Sequence, residues 1–534
     1  MSQQGVQQKE YPVPVMQAEI EEENGARLGI DLTLCPQDWL PEATNKRVRF
    51  TARIYTFNEA DENWEYKGEA GEKREITFEF REVSNEPGIC MNFPAINQAN
   101  ENPDLFFPDD GYNAGKYTFS NDDTDGGKPC PTEIVNPGDN PAHSHHYKTT
   151  TTIATTSEAT IEVRCEDYGA YGILRASAPD CETLEPRRTD EGCSQRGGAN
   201  DVKIPMDVDG NRIADSASQD NGGASANQDE DNNPVGDGTR GDGLTNYEEY
   251  RGFIVKTGGN KSHIRTDIDR KDIFIHDRDG LGYGFFSQSG LVIHLLPGAE
   301  YYGGDSPNDP PPGTRTTSQP RAVGDKTQVI NFNSKTAHGG DQHGLRLVDE
   351  ALTQGSGFTC ATDPNSPGPP KNVNRVIIDR SYIAGRGINN KLGKTIAHEL
   401  GHAVCLRHHG PFAPNWKKHY HGIFFASPKW GREGGRQVLK NPRGLSDPAG
   451  GPTSGDANCV MRYDNLFAFW CHNNDSCRHR IYKPPNKEVL SNLTFCSATN
   501  GTGVNNVPDP KGGNPHRNDA QRGNCMSQMK VKDW

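Results

Sequence analysis

The run His398-Glu399-Leu400-Gly401-His402 places two histidines four residues apart, with a carboxylate directly after the first. On an α-helix that spacing stacks both imidazoles on one face, one turn apart, so both reach a single Zn²⁺. Glu399 stands off that line, where its carboxylate can deprotonate a water held by the metal rather than bind the metal itself. A third histidine, His408, lies six residues beyond His402. A continuing helix would carry it away, so the chain must turn sharply near Cys405 to bring it back. Three protein ligands with a fourth position open to water and substrate is the catalytic arrangement; structural zinc sites are closed by four. His409 competes for the third place, but the spacing favours His408. His419 and His421 read as exposed loop residues.

His398-Glu399-x-x-His402 followed by His408 resembles the HExxHxxGxxH signature of the metzincin metallopeptidases. That family carries a Met-turn beneath the zinc, and Asn458-Cys459-Val460-Met461-Arg462-Tyr463 is similar to it. The resemblance implies Met461 as the turn methionine and Tyr463 as the tyrosine that astacin-like and serralysin-like members place at the zinc. Cys405 stands where the family has glycine. A left-handed backbone there costs a non-glycine residue about 1–2 kcal/mol. A disulfide from Cys405 to Cys459 would tie the end of the helix to the Met-turn, two segments that the family brings together.

The expected chemistry is endopeptidase hydrolysis. Zinc lowers the pKa of its water to about 7. Glu399 takes the proton during attack on a peptide carbonyl and returns it to the leaving amine. Tyr463 donates to the developing oxyanion, and Met461 packs under the imidazoles. Three other readings stay open. A gluzincin-like peptidase would take a downstream glutamate such as Glu433 as third ligand. A zinc-containing extracellular binding or adhesion protein would have lost catalysis, for which the intact Glu399 has no use. A zymogen would be blocked by Cys360 or by the N-terminal domain.

Such a site needs a sheet and a helix to hold it. Asp272–Ile275, Leu291–Leu296, Gln328–Phe332 and Arg375–Asp379 are short apolar runs rich in β-branched residues, and they read as strands. The segment 390–407 reads as the active-site helix, with Leu400, Val404 and Leu406 giving it a buried side. Residues 263–534 are therefore expected to form a metzincin-like α+β catalytic domain. Its upper half spans 263–408, and 409–534, rich in Gly, Pro and Cys, forms an irregular lower half.

Upstream, Asp207-Val208-Asp209-Gly210-Asn211-Arg212-Ile213-Ala214-Asp215 resembles the calcium loops of thrombospondin type 3 and EF-hand-like repeats. Alternating oxygen side chains around a tight turn suit a hard cation. The resemblance implies Ca²⁺ at Asp207, Asp209, Asn211 and Asp215. A poorer relative follows, with Asp242 and Glu249 at loop positions five and twelve, but Gly238 and Arg240 where acids are expected. Residues 216–236, almost all Asn, Asp, Ser, Gly, Gln and Ala, read as an acidic linker. The span 179–262 is therefore expected to be a calcium-loop connector.

Residues 1–178 differ again. Arg47–Tyr55 and Glu75–Phe80 alternate apolar with polar, and Thr160–Cys165 and Gly172–Ala176 do so more weakly. Half-buried strands between turn-rich stretches predict an antiparallel, immunoglobulin-like β-sandwich. No catalytic constellation falls here; His143, His145 and His146 read as solvated loop histidines. A carbohydrate or a partner surface is the expected ligand class, alongside the protein or peptide substrate of the catalytic domain.

At 534 residues the chain has room for two to four domains. Its net charge of −15 argues against nucleic acid and anionic membranes. No run of about 20 apolar residues offers a membrane span. Thirteen cysteines without a CxxC pair suggest disulfides, among them a local Cys181–Cys193 bridge, and crosslinks among Cys471, Cys477, Cys496 and Cys525. An extracellular location is the expectation. The opening Met-Ser-Gln-Gln-Gly-Val-Gln-Gln has no leader character, so this implies a leader already removed or a non-classical route.

Overall fold

The computed structural model describes residues 26–43, 46–93, 103–120, 147–184, 201–217, 225–298, 301, 328–335, 342–353, 356–361, 373–385, 391–406, 430–433, 436–439, 460–461, 495, 525–527 and 529–531. The described residues are mostly β-sheet with few helices.

Eleven strands build the N-terminal part: β1 (Leu28–Leu32), β2 (Lys46–Asn58), β3 (Asn63–Glu65), β4 (Thr77–Val83), β5 (Leu105–Phe106), β6 (Tyr117–Ser120), β7 (Thr149–Thr152), β8 (Glu158–Cys165), β9 (Gly172–Ser177), β10 (Cys181–Thr183) and β11 (Asp201–Ile204). One sheet runs β10-β1-β2-β8-β5 with β3 on β2, and the second runs β11-β9-β4-β7-β6. Alternation sets which face is buried. Val48, Phe50, Ala52 and Ile54 of β2 and Ile161 and Val163 of β8 share one core with Phe78 and Phe80 of β4 and Leu174 of β9. Each large apolar side chain so buried contributes about 1.5–3 kcal/mol. The strand β11 falls within the span expected to be connector, yet it closes the second sheet through Val202 and Ile204. Cys35, Cys90 and Cys165 are buried in this part as thiols, not disulfides. The Cys165 thiol donates to the Asp167 carbonyl at 3.0 Å. Expected crosslinks are thus replaced here by a packed apolar core, in which a thiol behaves as a small hydrophobe. Cys193 lies outside the described residues.

The next segment is not a loose linker. Helix α1 (Asn246–Arg251) opens on a capping box in which Thr245 and Glu248 exchange side-chain bonds to each other's backbone N–H, and all six of its residues are buried. A hairpin of β12 (Phe253–Thr257) and β13 (Asn260–Ile264) follows. Arg251, fully buried, joins three regions. Its Nη2 lies 2.5 Å from Asp167 Oδ2 and donates to the Pro87 carbonyl at 2.6 Å, while Nη1 donates to the Asn333 carbonyl at 3.1 Å.

A second mixed sheet comprises β14 (Asp272–Asp277), β15 (Val292–Leu295), β16 (Gln328–Val329), β17 (His343–Asp349), β18 (Gly357–Ala361) and β19 (Val373–Ile378), in the order β15-β14-β17-β19-β18 with β16 on β17. The pairs β14–β15, β14–β17 and β17–β19 are parallel, and β18 lies antiparallel at the end of the path. Parallel strands covered on both faces read as continuous apolar runs, and Ile273, Phe274 and Ile275 are all buried. The short α2 (Arg380–Ala384) is capped by Asp379. It leads to α3 (Lys391–Ala403), whose Ile396, Ala397, Leu400 and Ala403 pack on Ile275, Leu347, Val376 and Ile378. Val460, Met461, Phe495, Met529 and Val531 complete that core. Two short strands, β20 (Trp430–Glu433) and β21 (Arg436–Leu439), pair with each other. No helix among the described residues is long and apolar enough to cross a membrane.

Candidate metal centre

Helix α3 carries His398, Glu399 and His402 and stops four residues short of the expected position 407. Its end is a left-handed turn at Cys405, φ +70°. Leu406 N–H returns to the Gly401 carbonyl at 2.9 Å and Cys405 N–H to the His402 carbonyl at 3.1 Å. This is the paired bonding of a Schellman cap, made with cysteine at the position that glycine ordinarily fills.

That turn feeds directly into the histidine geometry. His402 Nδ1 lies 2.8 Å from the Leu406 carbonyl, and His398 Nδ1 lies 3.0 Å from the Val460 carbonyl. A carbonyl only accepts, so each Nδ1 carries the ring proton and each Nε2 presents a lone pair. The two Nε2 atoms face each other at 3.3 Å. Two nitrogens each 2.0–2.1 Å from one ion at a tetrahedral angle would be about 3.3–3.4 Å apart, so the pair fits zinc. Burial, and then the neighbouring His398, push the His402 imidazole down to about 3, which disfavours a shared proton as the positive partner. The carbonyl bonds also fix ring orientation, the usual outer support of a metal-binding histidine.

Glu399 is bonded to the strand at the end of the sheet. The Thr359 hydroxyl of β18 lies 2.9 Å from Glu399 Oε2 and 2.8 Å from the Glu399 carbonyl. Burial is the largest influence on its carboxyl and raises it, with His398 and Thr359 acting in the opposite sense. A carboxylate of raised affinity for protons, next to two metal-fit nitrogens, can take a proton from water and give it up again. A side chain at Gly357 would put Cβ 2.7 Å from Glu399 Cγ and 2.7 Å from Thr395 Cγ2, so glycine there lets β18 approach. Beneath the helix, Met461 is fully buried, and a Cβ on Gly401 would fall 2.6 Å from its sulfur. His408, Cys459 and Tyr463 lie outside the described residues, as do His409, His419, His421, His143, His145 and His146. So do Cys471, Cys477 and Cys496, while for Glu433 and Cys360 only the backbone strand is described.

In the upstream loop, oxygens of Asp207, Asp209 and Asp215 lie within 4.8 Å of one another. Asp207 accepts from the backbone N–H groups of Gly210, Asn211 and Arg212, which winds the loop around it. Asn211 is bonded within the same loop. Its Oδ1 accepts from Ile213 N–H at 2.7 Å and its Nδ2 donates to Asp209. The second loop differs from the expected twelve-residue form. Asp242 groups not with positions 238 and 240 but with Asp229 and Asp231, and Glu249 sits on α1. The signal for Asp229 and Asp231 was a D-x-D pair hidden in a stretch whose composition reads as linker. Thr359, Gly357 and the Val460 and Leu406 carbonyls carry no sequence signal, because their role is set by where the backbone passes. The chain matches no protein-family model, no curated protein and no solved structure.

Proposed function

We propose that the chain is a zinc-dependent endopeptidase of metzincin type. The observation that carries this reading is the pair of proton-free Nε2 atoms of His398 and His402 at 3.3 Å, each ring anchored by Nδ1 to a backbone carbonyl. His398 and His402 would hold the ion. His408 as third ligand and Tyr463 as oxyanion donor rest on the sequence resemblance. When bound, zinc supplies a Lewis acid that polarises the scissile carbonyl and makes water acidic enough to lose a proton at neutral pH.

The chain's own residues do the rest. Glu399 accepts the proton as the water oxygen bonds to the carbonyl carbon, then delivers it to the amide nitrogen as the C–N bond breaks. Thr359 holds the Glu399 carboxylate in place between the two transfers. The terminal strand β18 passes beside Glu399 and offers an edge to which an extended peptide can add. Met461 packs under α3 and keeps Gly401, and with it His398 and His402, in register. The paired N-terminal sheets support an immunoglobulin-like accessory domain that contacts a carbohydrate or protein surface, and the Asp207 loop supports calcium. Secretion of the chain belongs to the same reading.

The test is zinc content together with cleavage of an unfolded protein, for the wild type, Glu399→Gln and His398→Ala. One zinc in the wild type and in Glu399→Gln, with cleavage reduced about 10²–10⁴-fold in the latter, is the expected result. Absence of zinc from the wild type after refolding in zinc would overturn the reading.

A further inference from the structure

A second constellation lies away from α3, where the connector meets the start of the second sheet. Oxygens of Asp229, Asp231 and Asp242 lie within 4.8 Å of one another. Burial first, and then mutual repulsion that takes in Asp272 at the start of β14, raises the carboxyls of Asp231 and Asp242, and Glu249 of α1 is raised by burial and by the same acids. The Asp231 carboxyl is pushed up to about 11, by burial first and then by Asp242, Asp229 and Asp272. Acids crowd many protein surfaces without consequence; apart from half-buried Asp229, these are not on the surface. Asp231 is 1% exposed, and Asp242, Glu249 and Asp272 are fully buried.

The hydrogen bonds show which oxygens are already used. Asp229 takes the N–H groups of Asp242 and Gly243, at 2.9 and 3.1 Å. Asp242 takes those of Leu244 and Asp272, at 3.0 and 2.6 Å. Asp272 gives Oδ1 to His294 Nε2 at 2.6 Å, and Glu249 gives Oε1 to the Thr266 hydroxyl at 3.2 Å. What is left over is Asp272 Oδ2, Glu249 Oε2 and both oxygens of Asp231, all buried and all without a hydrogen-bond partner. The adjacent cation does not answer them: Lys271 Nζ donates to the Thr239 and Val235 carbonyls. Two carboxylates are thus each pinned by one oxygen with the other bare, and a third is bare at both. A buried carboxylate without hydrogen bond or counter-ion is among the costliest arrangements a fold can keep.

The geometry points to a Ca²⁺ site centred on Asp229, Asp231 and Asp242 and flanked by the bare oxygens of Glu249 on α1 and Asp272 on β14, which ties the connector to the sheet that β14 begins. All the donors are oxygens, which selects hard cations over zinc. Carboxylates arriving from a loop, a helix and a strand make an irregular shell. Calcium accepts six to eight oxygens in flexible geometry, whereas magnesium demands a near-octahedral one. The site uses none of the histidines on α3, and it joins segments as far apart in sequence as Asp229 and Asp272.

The experiment uses the full chain, stripped of calcium with EGTA, freed of chelator and resupplied with zinc, then titrated with CaCl₂ while melting temperature and bound calcium are followed. Asp231→Asn is compared with the wild type and with Asp207→Asn. Asp231→Asn removes the cost of protonating a buried acid on folding, so it should raise the melting temperature above wild type without calcium, and losing a ligand should lower it below wild type in calcium. Asp207→Asn should show no such inversion, and Asp231→Asn should bind one calcium fewer than wild type. A shift of the same sign in both conditions, with calcium stoichiometry unchanged, would overturn the site. An equal response to MgCl₂ at the same concentration would overturn calcium as its ion. Should Asp231→Asn fail to fold, wild-type protein that neither retains calcium through gel filtration nor melts higher with it rejects the proposal alone. Zinc content, read on the same samples, keeps this outcome separate from that of the peptidase reading.

Discussion

The carbonyl of Leu406 receives the Nδ1 proton of His402 across 2.8 Å, four residues back along the chain. It can do so only because Cys405 takes a left-handed backbone and folds Leu406 under the end of α3. Helix termination and orientation of a candidate metal ligand are therefore one structural event.

Cys405 tests that link. At φ +70° a glycine removes the steric cost of Cβ and regains some of it as chain entropy in the unfolded state. Cys405→Gly should retain zinc and be stabilised by up to about 1 kcal/mol in urea unfolding. Cys405→Val, branched at Cβ, should be destabilised and bind zinc more weakly. A destabilised Cys405→Gly would show instead that the sulfur anchors the turn, as a bridge to Cys459 would.

Gly357 separates the base from the ligands. Its Cβ would overlap Glu399 Cγ and Thr395 Cγ2, so the Glu399 side chain or β18 must shift. Gly357→Ala should lower cleavage at least about tenfold by misplacing the general base while zinc stoichiometry stays at the wild-type value. Zinc loss in parallel with activity would place the damage in the helix rather than in the base.

Arg251 is the test of how the two halves are joined. Its guanidinium meets Asp167 and the Pro87 and Asn333 carbonyls in one fully buried fork. A lysine has the charge but cannot span those partners. Arg251→Lys should cost about 3 kcal/mol of stability, since it leaves Asp167 buried and underbonded. Differential scanning calorimetry should show that loss; an unchanged melting temperature would contradict the bonding described.

His263 sets an acid limit on the same junction. It stacks on Tyr168 with centroids 3.4 Å apart and donates from Nε2 to the Arg251 carbonyl at 2.8 Å. Burial above all, with Arg265 and Arg251 nearby, depresses its imidazole to about 3. The folded state then holds fewer protons than the unfolded state between about pH 6.5 and 3, so stability is full above that window and falls as pH drops through it. The slope approaches about 1.4 kcal/mol per pH unit. His263→Phe, which keeps the stack and removes the titration, should flatten that part of the stability curve, as measured by urea melts from pH 7 to 4.

Local pattern alone placed β2, β8, β14, β15 and β19 and the face of α3 that carries His398 and His402, because burial period and residue spacing are properties of consecutive residues. It missed β17, where Gly344 and Arg346 break the apolar run in the middle of the sheet. It also read Asp229 and Asp231 as linker, since composition says nothing about what a segment packs against. Tertiary structure alone decided that the Val460 carbonyl meets His398 Nδ1 and that Thr359 holds Glu399. It likewise brought Asp167 to Arg251, and acids from a loop, α1 and β14 to one buried point. Those pairings close long stretches of chain, and nothing periodic in the sequence encodes them. They are fixed by which buried polar atoms must be satisfied once the sheets and helices have packed.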